Sequence, residues 1–289
     1  MNDPDELAGA EHLEQMPASW VGVVCDRGQR HAGNEDASVV VATPEPGVHA
    51  VLVVCDGVSS APNSAEAAAA ASQQVSDALT LAEDDPDPAV RSRKYAERLI
   101  EAIADANRTV VDLGEGHEHA PSCTVAAAVV SNQAIVAGWA GDSRVYWFPD
   151  EGDGVLLTTD DSMAQLRIEW GVEREQAEQG PGAHTITRWL GRDAPTDPAH
   201  TVVHEVDTRG WVVVCSDGLW NYASEPEALG EVLRGLFVDA PDMRLPVDVA
   251  RELVAWANRQ GGEDNITVAV ARLGELINPE SEHSAASPA

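Results

Sequence analysis

The 289-residue sequence predicts an α+β fold in which antiparallel sheets are covered by paired helices. Three observations predict it. Short β-branched runs are followed by two consecutive helical segments, then a block of strands, further helices and a last strand. That order is not the strict βαβα alternation of a parallel sheet. Hydrophobic residues make up 44% of the chain, enough for a real core, and no internal repeat or long linker divides it. The length fits one large domain or two small ones.

The elements follow in order. Residues 1–18 are acidic and poor in β-branched residues, and they read as a disordered tail. Apolar runs predict strands at 21–25, 39–43 and 48–55. Helices are predicted at 64–81, where Ala67–Ala71 is a run of strong helix formers, and at 89–113. Between them Asp84-Asp85-Pro86-Asp87-Pro88 ends the first helix and caps the second. Strands are then expected at 124–130, 133–139, 145–148 and 155–159, a helix at 163–171, and strands at 201–206 and 211–215. Helices at 225–236 and 247–259 and a strand at 267–272 complete a domain over 19–275, and 276–289 read as a second disordered tail.

Composition excludes several functions. Lys plus Arg total 18 against 49 Asp plus Glu, a net charge of −31. Such a surface is not built for nucleic-acid phosphates or anionic lipid. The chain has a single lysine, Lys94, in the polar run Arg91-Ser92-Arg93-Lys94-Tyr95. A P-loop, a protein kinase and a pyridoxal enzyme each need a lysine in a context that Lys94 lacks. Cys25, Cys55, Cys123 and Cys215 are scattered singly, so no zinc-ribbon spacing exists, and they read as small buried hydrophobes in a reducing compartment. The N-terminus has no basic and apolar leader, and no apolar run approaches a membrane span of about 18 residues. The expectation is a free cytoplasmic protein.

The chemistry lies at strand ends. Val51–Cys55 leads into Asp56-Gly57, Ile135–Ala140 into Gly141-Asp142, and Trp211–Ser216 into Asp217-Gly218. A carboxylate at the end of a buried strand loses water, which costs several kcal/mol unless a cation or hydrogen bonds compensate. The adjacent glycine lets backbone approach closely and can present a carbonyl as a ligand. Asn34-Glu35-Asp36 and Glu263-Asp264-Asn265 each precede a further strand. Should all five clusters converge, the site would be rich in oxygen and almost free of His and Cys. Mg2+ or Mn2+ suits such a site and zinc does not. A carboxylate-lined two-metal site would suit hydrolysis at phosphorus.

These segments resemble those of the bacterial metal-dependent Ser/Thr protein phosphatases of the PPM (type 2C) family. Asn34-Glu35-Asp36, Val54-Cys55-Asp56-Gly57, Ser122-Cys123-Thr124, Gly141-Asp142-Ser143-Arg144, Leu157–Ser162, Thr187-Arg188-Trp189-Leu190-Gly191, Cys215-Ser216-Asp217-Gly218 and Asp264-Asn265-Ile266-Thr267 match in family order across about residues 20–272. The resemblance implies a four-layer α-β-β-α sandwich: two central antiparallel sheets flanked by helix pairs. It implies that Asp56 bridges two metals and that the Gly57 carbonyl binds the first. Asp217 and Asp264 would hold the second, with Asp56, Asp217 and Asp264 the catalytic set. Asp36 would bind metal directly or through water, Glu35 would act through water, and Asp142 with Asp217 would hold a third, weaker ion. The implied reaction is direct attack of a metal-bridging hydroxide on phosphoserine or phosphothreonine, with no phosphoenzyme. A flap over about 163–194, ending at Arg188 and Gly191, would cover the site. The implied partners are phosphorylated proteins and a cognate Ser/Thr kinase, with the protein itself a monomer.

Three departures from the family pattern bear on this. The family's phosphate-binding arginine lies three residues before the Asn-Glu-Asp triplet. Here that position is His31 with Arg30 beside it, so His31 is the expected phosphate ligand unless Arg30 or Arg27 takes over. Val58 follows Asp56-Gly57 where animal members have His, so metal-bound water would protonate the leaving group. Asp161 replaces His in the Thr-x-Asp-His segment, which puts flap anchoring in question. Two other functions fit the same acids: a phosphoprotein-binding pseudophosphatase, which the His31 substitution favours, and a phosphatase of small metabolites.

Overall fold

The computed structural model describes residues 11–80, 85–116, 118–195, 199–240 and 245–274. Two antiparallel sheets form the centre. One has six strands in the order β1 (His12–Ala18), β2 (Val21–Asp26), β13 (Ile266–Leu273), β12 (Gly210–Cys215), β8 (Arg144–Pro149) and β9 (Val155–Leu156). The other has five, in the order β11 (His200–Glu205), β7 (Ala134–Ala140), β6 (Val125–Val130), β4 (Ala50–Asp56) and β3 (Asp36–Ala42). A two-stranded ladder joins β10 (Leu190–Gly191) to β5 (Ser122–Cys123). Helices α1 (Ser64–Thr80) and α2 (Pro88–Leu113) cover the five-stranded sheet, and α6 (Pro226–Asp239) and α7 (Pro246–Gln260) cover the other. Short helices α3 (Met163–Glu169), α4 (Arg174–Glu178) and α5 (Asp217–Trp220) complete the set. This is the expected sandwich.

The continuous apolar runs resolve into two faces because strand side chains alternate. On β4, Leu52 and Val54 face the space between the sheets, whereas Val51, Val53 and Cys55 meet the helices. On β12, Val212 and Val214 join the inter-sheet core, and Trp211, Val213 and Cys215 pack under α6 and α7. Sheets buried on both faces have rigid strand ends, and those ends carry the acids. Asp87 caps α2, accepting from the backbone N–H of Ala89 at 2.9 Å with Pro88 in the first turn, as its sequence predicts.

The N-terminal boundary is corrected. Residues 12–18 are not a tail but β1, paired antiparallel to β2 with a register break between Gln15 and Ala18. Its polar side chains find distant partners: His12 Nδ1 lies 2.9 Å from Asp26, and Arg251 donates to both Glu14 oxygens at 2.8 and 2.7 Å. Arg251 holds the Glu14 carboxyl down at about 2. An edge strand needs few apolar residues, so an acidic composition hid it. Residues 1–10 of the expected first tail, and the whole of the second over 276–289, lie outside the described residues.

Candidate active site and metal centre

Five strand ends from both sheets carry the candidate acids. Asp36 opens β3 and Asp56 closes β4, and the antiparallel register sets them opposite one another. Asp142 follows β7 by two residues, Asp217 starts α5 directly after β12 and Ser216, and Asp264 stands two residues before β13. Like charges facing each other across a ladder are unfavourable, so the register itself calls for compensation. The glycines permit the crowding. A Cβ on Gly57 would stand 2.7 Å from the Glu35 carbonyl and 2.8 Å from that of Ser64. Gly141 has φ +113°, and a Cβ there would lie 2.6 Å from that of Thr124.

Neutral side chains orient these acids. Ser216 Oγ donates to Asp36 Oδ2 at 2.7 Å and accepts from the Thr267 N–H at 3.0 Å. The Asn265 amide joins two of the acidic segments. Its Oδ1 accepts from the Glu35 N–H at 2.7 Å, while its Nδ2 donates to the carbonyls of Arg27 at 2.8 Å and Gly33 at 3.0 Å. Ser64 Oγ donates to Glu35 Oε1 at 2.5 Å, and Asn221 Nδ2 donates to Asp217 Oδ2 at 3.0 Å. The Asp56 N–H donates to Thr124 Oγ1 at 3.2 Å, whose hydroxyl pairs with Ser143 Oγ at 2.7 Å. Ser216, Asn265 and Thr124 lie inside the motifs that the sequence singles out. Their positioning role carries no charge signature and is visible only in three dimensions.

Electrostatically the acids form one unit. Burial first, then Asp217 and Asp264, push the Asp36 carboxyl up to about 7, against the pull of hydrogen bonds from Ser216 and Thr267. Burial and Asp264 push Asp217 up to about 7 as well. Burial, then the charges of Asp36, Asp217, Asp142 and Asp264, hold Asp56 well above the usual carboxylate range. Burial, Asp217 and Asp160 do the same for Asp142. Asp36 Oδ1 and Asp217 Oδ1 are buried without a hydrogen-bond partner. Among the described residues no three His, Cys, Asp or Glu side chains already stand around one point as a finished cage. The donor set nevertheless fits a hard divalent cation: orphaned buried oxygens, mutually raised acids and oxygen-only chemistry.

A second network lies beside Asp142. The Arg144 side chain is 1% exposed, and its guanidinium grips Asp160 with two hydrogen bonds of 2.8 and 2.7 Å. It also donates to the Ser224 carbonyl at 2.7 Å and to Tyr146 at 3.0 Å, and it lies 3.7 Å from the centre of the Trp220 ring. Trp220 Nε1 in turn donates to the Asp142 carbonyl at 2.9 Å.

The remaining candidates fall around the acids. His31 Nε2 lies 3.2 Å from Asp264 Oδ1. Arg30 pairs with Glu263 at 2.8 Å on an exposed surface. Asp161, substituted relative to the family pattern, accepts from the Gly141 N–H at 3.0 Å and from Arg188 Nε at 3.4 Å, and it stands 3.2 Å from His200 Nε2. It therefore ties the end of the segment expected to be the flap to the turn that carries Asp142. Gly191 pairs with Ser122 across the short ladder, and its N–H donates to Asn107 at 2.8 Å.

The raised acids give a pH signature. Between the ordinary aspartate value near 3.8 and about 7, the ion-free fold holds protons on Asp36 and Asp217 that the unfolded chain releases. Their contribution to stability is therefore full at low pH and is lost as pH rises through about 7. Melting in EDTA should show Tm falling from about pH 5.5 to 8, with Asp36→Asn or Asp217→Asn flattening the slope and Mn2+ abolishing it. A slope equal in parent and variants would refute the coupling.

With the geometry established, comparison places the chain among known proteins. The sequence model of the family described as Protein phosphatase 2C matches residues 27–256. A serine/threonine phosphatase stp from Listeria innocua is 27% identical over 248 residues, 84% of this chain and 91% of its own. The crystal structure of the Mycobacterium tuberculosis serine/threonine phosphatase PstP/Ppp superposes with TM-score 0.69 at 27% identity, covering 88% of this chain and 98% of that one. A catalytic domain of PstP in complex with two manganese ions shares the fold, with TM-score 0.66 at 24% identity, covering 88% of this chain and 98% of its own.

Proposed function

This chain belongs to the protein phosphatase 2C family, and on that premise we propose that it is a metal-dependent serine/threonine protein phosphatase that hydrolyses phosphoserine and phosphothreonine by direct displacement at phosphorus. One observation carries the reading: five aspartates from the ends of both sheets meet as one charge-coupled cluster, with two buried carboxylate oxygens left unpartnered. Arg144 draws Asp142 and Asp217 downward, but its guanidinium is committed to Asp160.

Two Mn2+ or Mg2+ ions would supply a water that ionises near neutral pH and a positive field over the phosphoryl oxygens. Asp56, opposite Asp36 across the ladder and under the charge of Asp217, would bridge them, and the Gly57 carbonyl would bind the first. Asp217 and Asp264 would hold the second ion, Asp36 would offer its unpartnered Oδ1, Glu35, held by Ser64, would act through water, and Asp142 with Asp217 would hold a third, weaker ion. His31, against Asp264 at the mouth of the cluster, is the side chain we assign to the phosphate. Arg30, held by Glu263, lies next to it. No acidic side chain follows Gly57, where Val58 stands, so the leaving alkoxide takes its proton from water. The substrates are phosphorylated proteins, which implies a kinase that makes them. We place the enzyme in the cytoplasm as a monomer, and no helix among the described residues is long and apolar enough to cross a membrane.

The test is hydrolysis of p-nitrophenyl phosphate and a phosphothreonine peptide with and without Mn2+. Turnover that requires the metal, with the peptide preferred, is expected. Calorimetric Mn2+ binding without turnover would make the protein a phosphoprotein-binding module instead. A kcat/KM favouring small metabolites would move it to a different substrate class.

A further inference from the structure

We propose that a groove beside Gly57, lined in part by the end of the flap, receives an apolar side chain flanking the phosphorylated residue of a protein substrate, and that Trp189 sets this preference. The inference rests on the phosphatase reading and adds to it the part of the substrate that is not phosphate.

The groove has a volume of about 360 Å3. Its apolar lining includes Val58, Pro62, Pro121, Ile186 and Trp189. It adjoins the strand end that carries Asp56, because Val58 in its lining directly follows Asp56-Gly57. The Val58 N–H donates to the Ser122 carbonyl at 2.9 Å, and Gly57 bridges to Cys123. The lining thus begins one residue beyond Gly57 and two beyond Asp56. The segment that carries Ile186 and Trp189 is held by backbone: Ile186 bridges to Ser162, the Thr187 N–H donates to the Asp161 carbonyl at 2.7 Å, and Leu190 pairs with Cys123. The lining is therefore preformed, as binding sites generally are.

Its chemistry selects the occupant. Val58, Ile186 and Trp189 are only partly buried, so each presents apolar surface that a ligand can cover. The rim is mixed, with Glu118 and Asp193 acidic, His119 beside them, and Arg192 held to the Gly114 carbonyl. The lining sets one guanidinium, Arg192, against two carboxylates, Glu118 and Asp193, and the whole chain carries −31, so an acidic flanking residue meets net repulsion. A phosphopeptide extended from the metal cluster would lay a neighbouring side chain against Trp189. A free phosphometabolite would not reach it.

The experiment compares kcat/KM, in Mn2+, for phosphothreonine peptides carrying Leu or Asp at each of the two positions on either side, and for a capped single phosphothreonine with no flanks. The parent protein should prefer Leu over Asp at one flank by about 10-fold or more. Trp189→Ala should bring that ratio close to unity while hydrolysis of the capped residue stays within about twofold. Pro62→Asp, at an exposed lining position, should lower the Leu peptides selectively, which guards against a folding defect in the first variant. Equal losses on flanked and unflanked substrates in both variants, or hydrolysis by the parent without any flank preference, would overturn the inference and leave the phosphatase reading standing. No hydrolysis of any substrate would remove both.

Discussion

Asp56→Asn is expected to lower Mn2+-dependent kcat/KM by at least about 100-fold while leaving the metal-free protein as stable as the parent or more so. The two effects have opposite signs because the same charge does opposite things in the two states. Without an ion, Asp56 stands across the ladder from buried Asp36 and feels the charges of Asp217, Asp142 and Asp264. Neutralising it removes like-charge repulsion and a desolvation cost. With ions present, the same substitution would remove the carboxylate proposed to bridge them. Steady-state kinetics in Mn2+ and thermal melts in EDTA read the two halves separately, and about 1 kcal/mol corresponds to a Tm shift of about 2–4 °C at this size. Asp264→Ala should lose activity on the same scale. Full activity in Asp56→Asn, or a large loss of its stability in EDTA, would refute the site.

Arg144→Ala is expected to cost about 3–5 kcal/mol of folding stability, because it strands a buried Asp160. The guanidinium meets four partners at once: both Asp160 oxygens, the Ser224 carbonyl and the Tyr146 hydroxyl, with the Trp220 ring beneath it. Arg144→Lys keeps the charge but cannot bridge two oxygens, so it should recover only part of the loss. Arg144→Met combined with Asp160→Leu, which leaves no orphaned charge, should recover most of it. Urea unfolding measures each variant. Arg144→Ala within about 1 kcal/mol of the parent would show that the pair behaves as a surface ion pair. Since Trp220 donates to the Asp142 carbonyl, the same variant should also weaken activity at limiting Mn2+.

Arg144 also shows where sequence reading stops. Its segment, Gly141-Asp142-Ser143-Arg144, was recognisable as a motif, yet the residue's work depends on Asp160, Ser224 and Trp220, which are 16, 80 and 76 positions away in sequence. Asp161 is similar. As a departure from the family pattern it put flap anchoring in question, and only the fold shows Gly141, Arg188 and His200 gathered on its carboxylate. His31 stood out as a missing arginine, but its pairing with Asp264 followed from the loop's path. Strand β1 was missed outright, because an edge strand is stabilised by backbone pairing and by polar side chains from elsewhere rather than by its own apolar content.

The order of apolar runs and helix caps, the strand-terminal Asp-Gly pairs and the lack of competing chemistry were written in the linear chain, because each is a local property: periodicity, a turn residue or an amino-acid class. The α+β class and the five acidic segments are legible from these alone, whereas the four-layer sandwich and the role of each acid are implied by the family resemblance. Which acids oppose one another, which oxygens lose every partner and which neutral side chains hold them were decided only by tertiary structure. Those properties arise when two antiparallel sheets pack face to face and bring segments as distant as those of Asp36 and Asp264 close enough for their charges to act on one another.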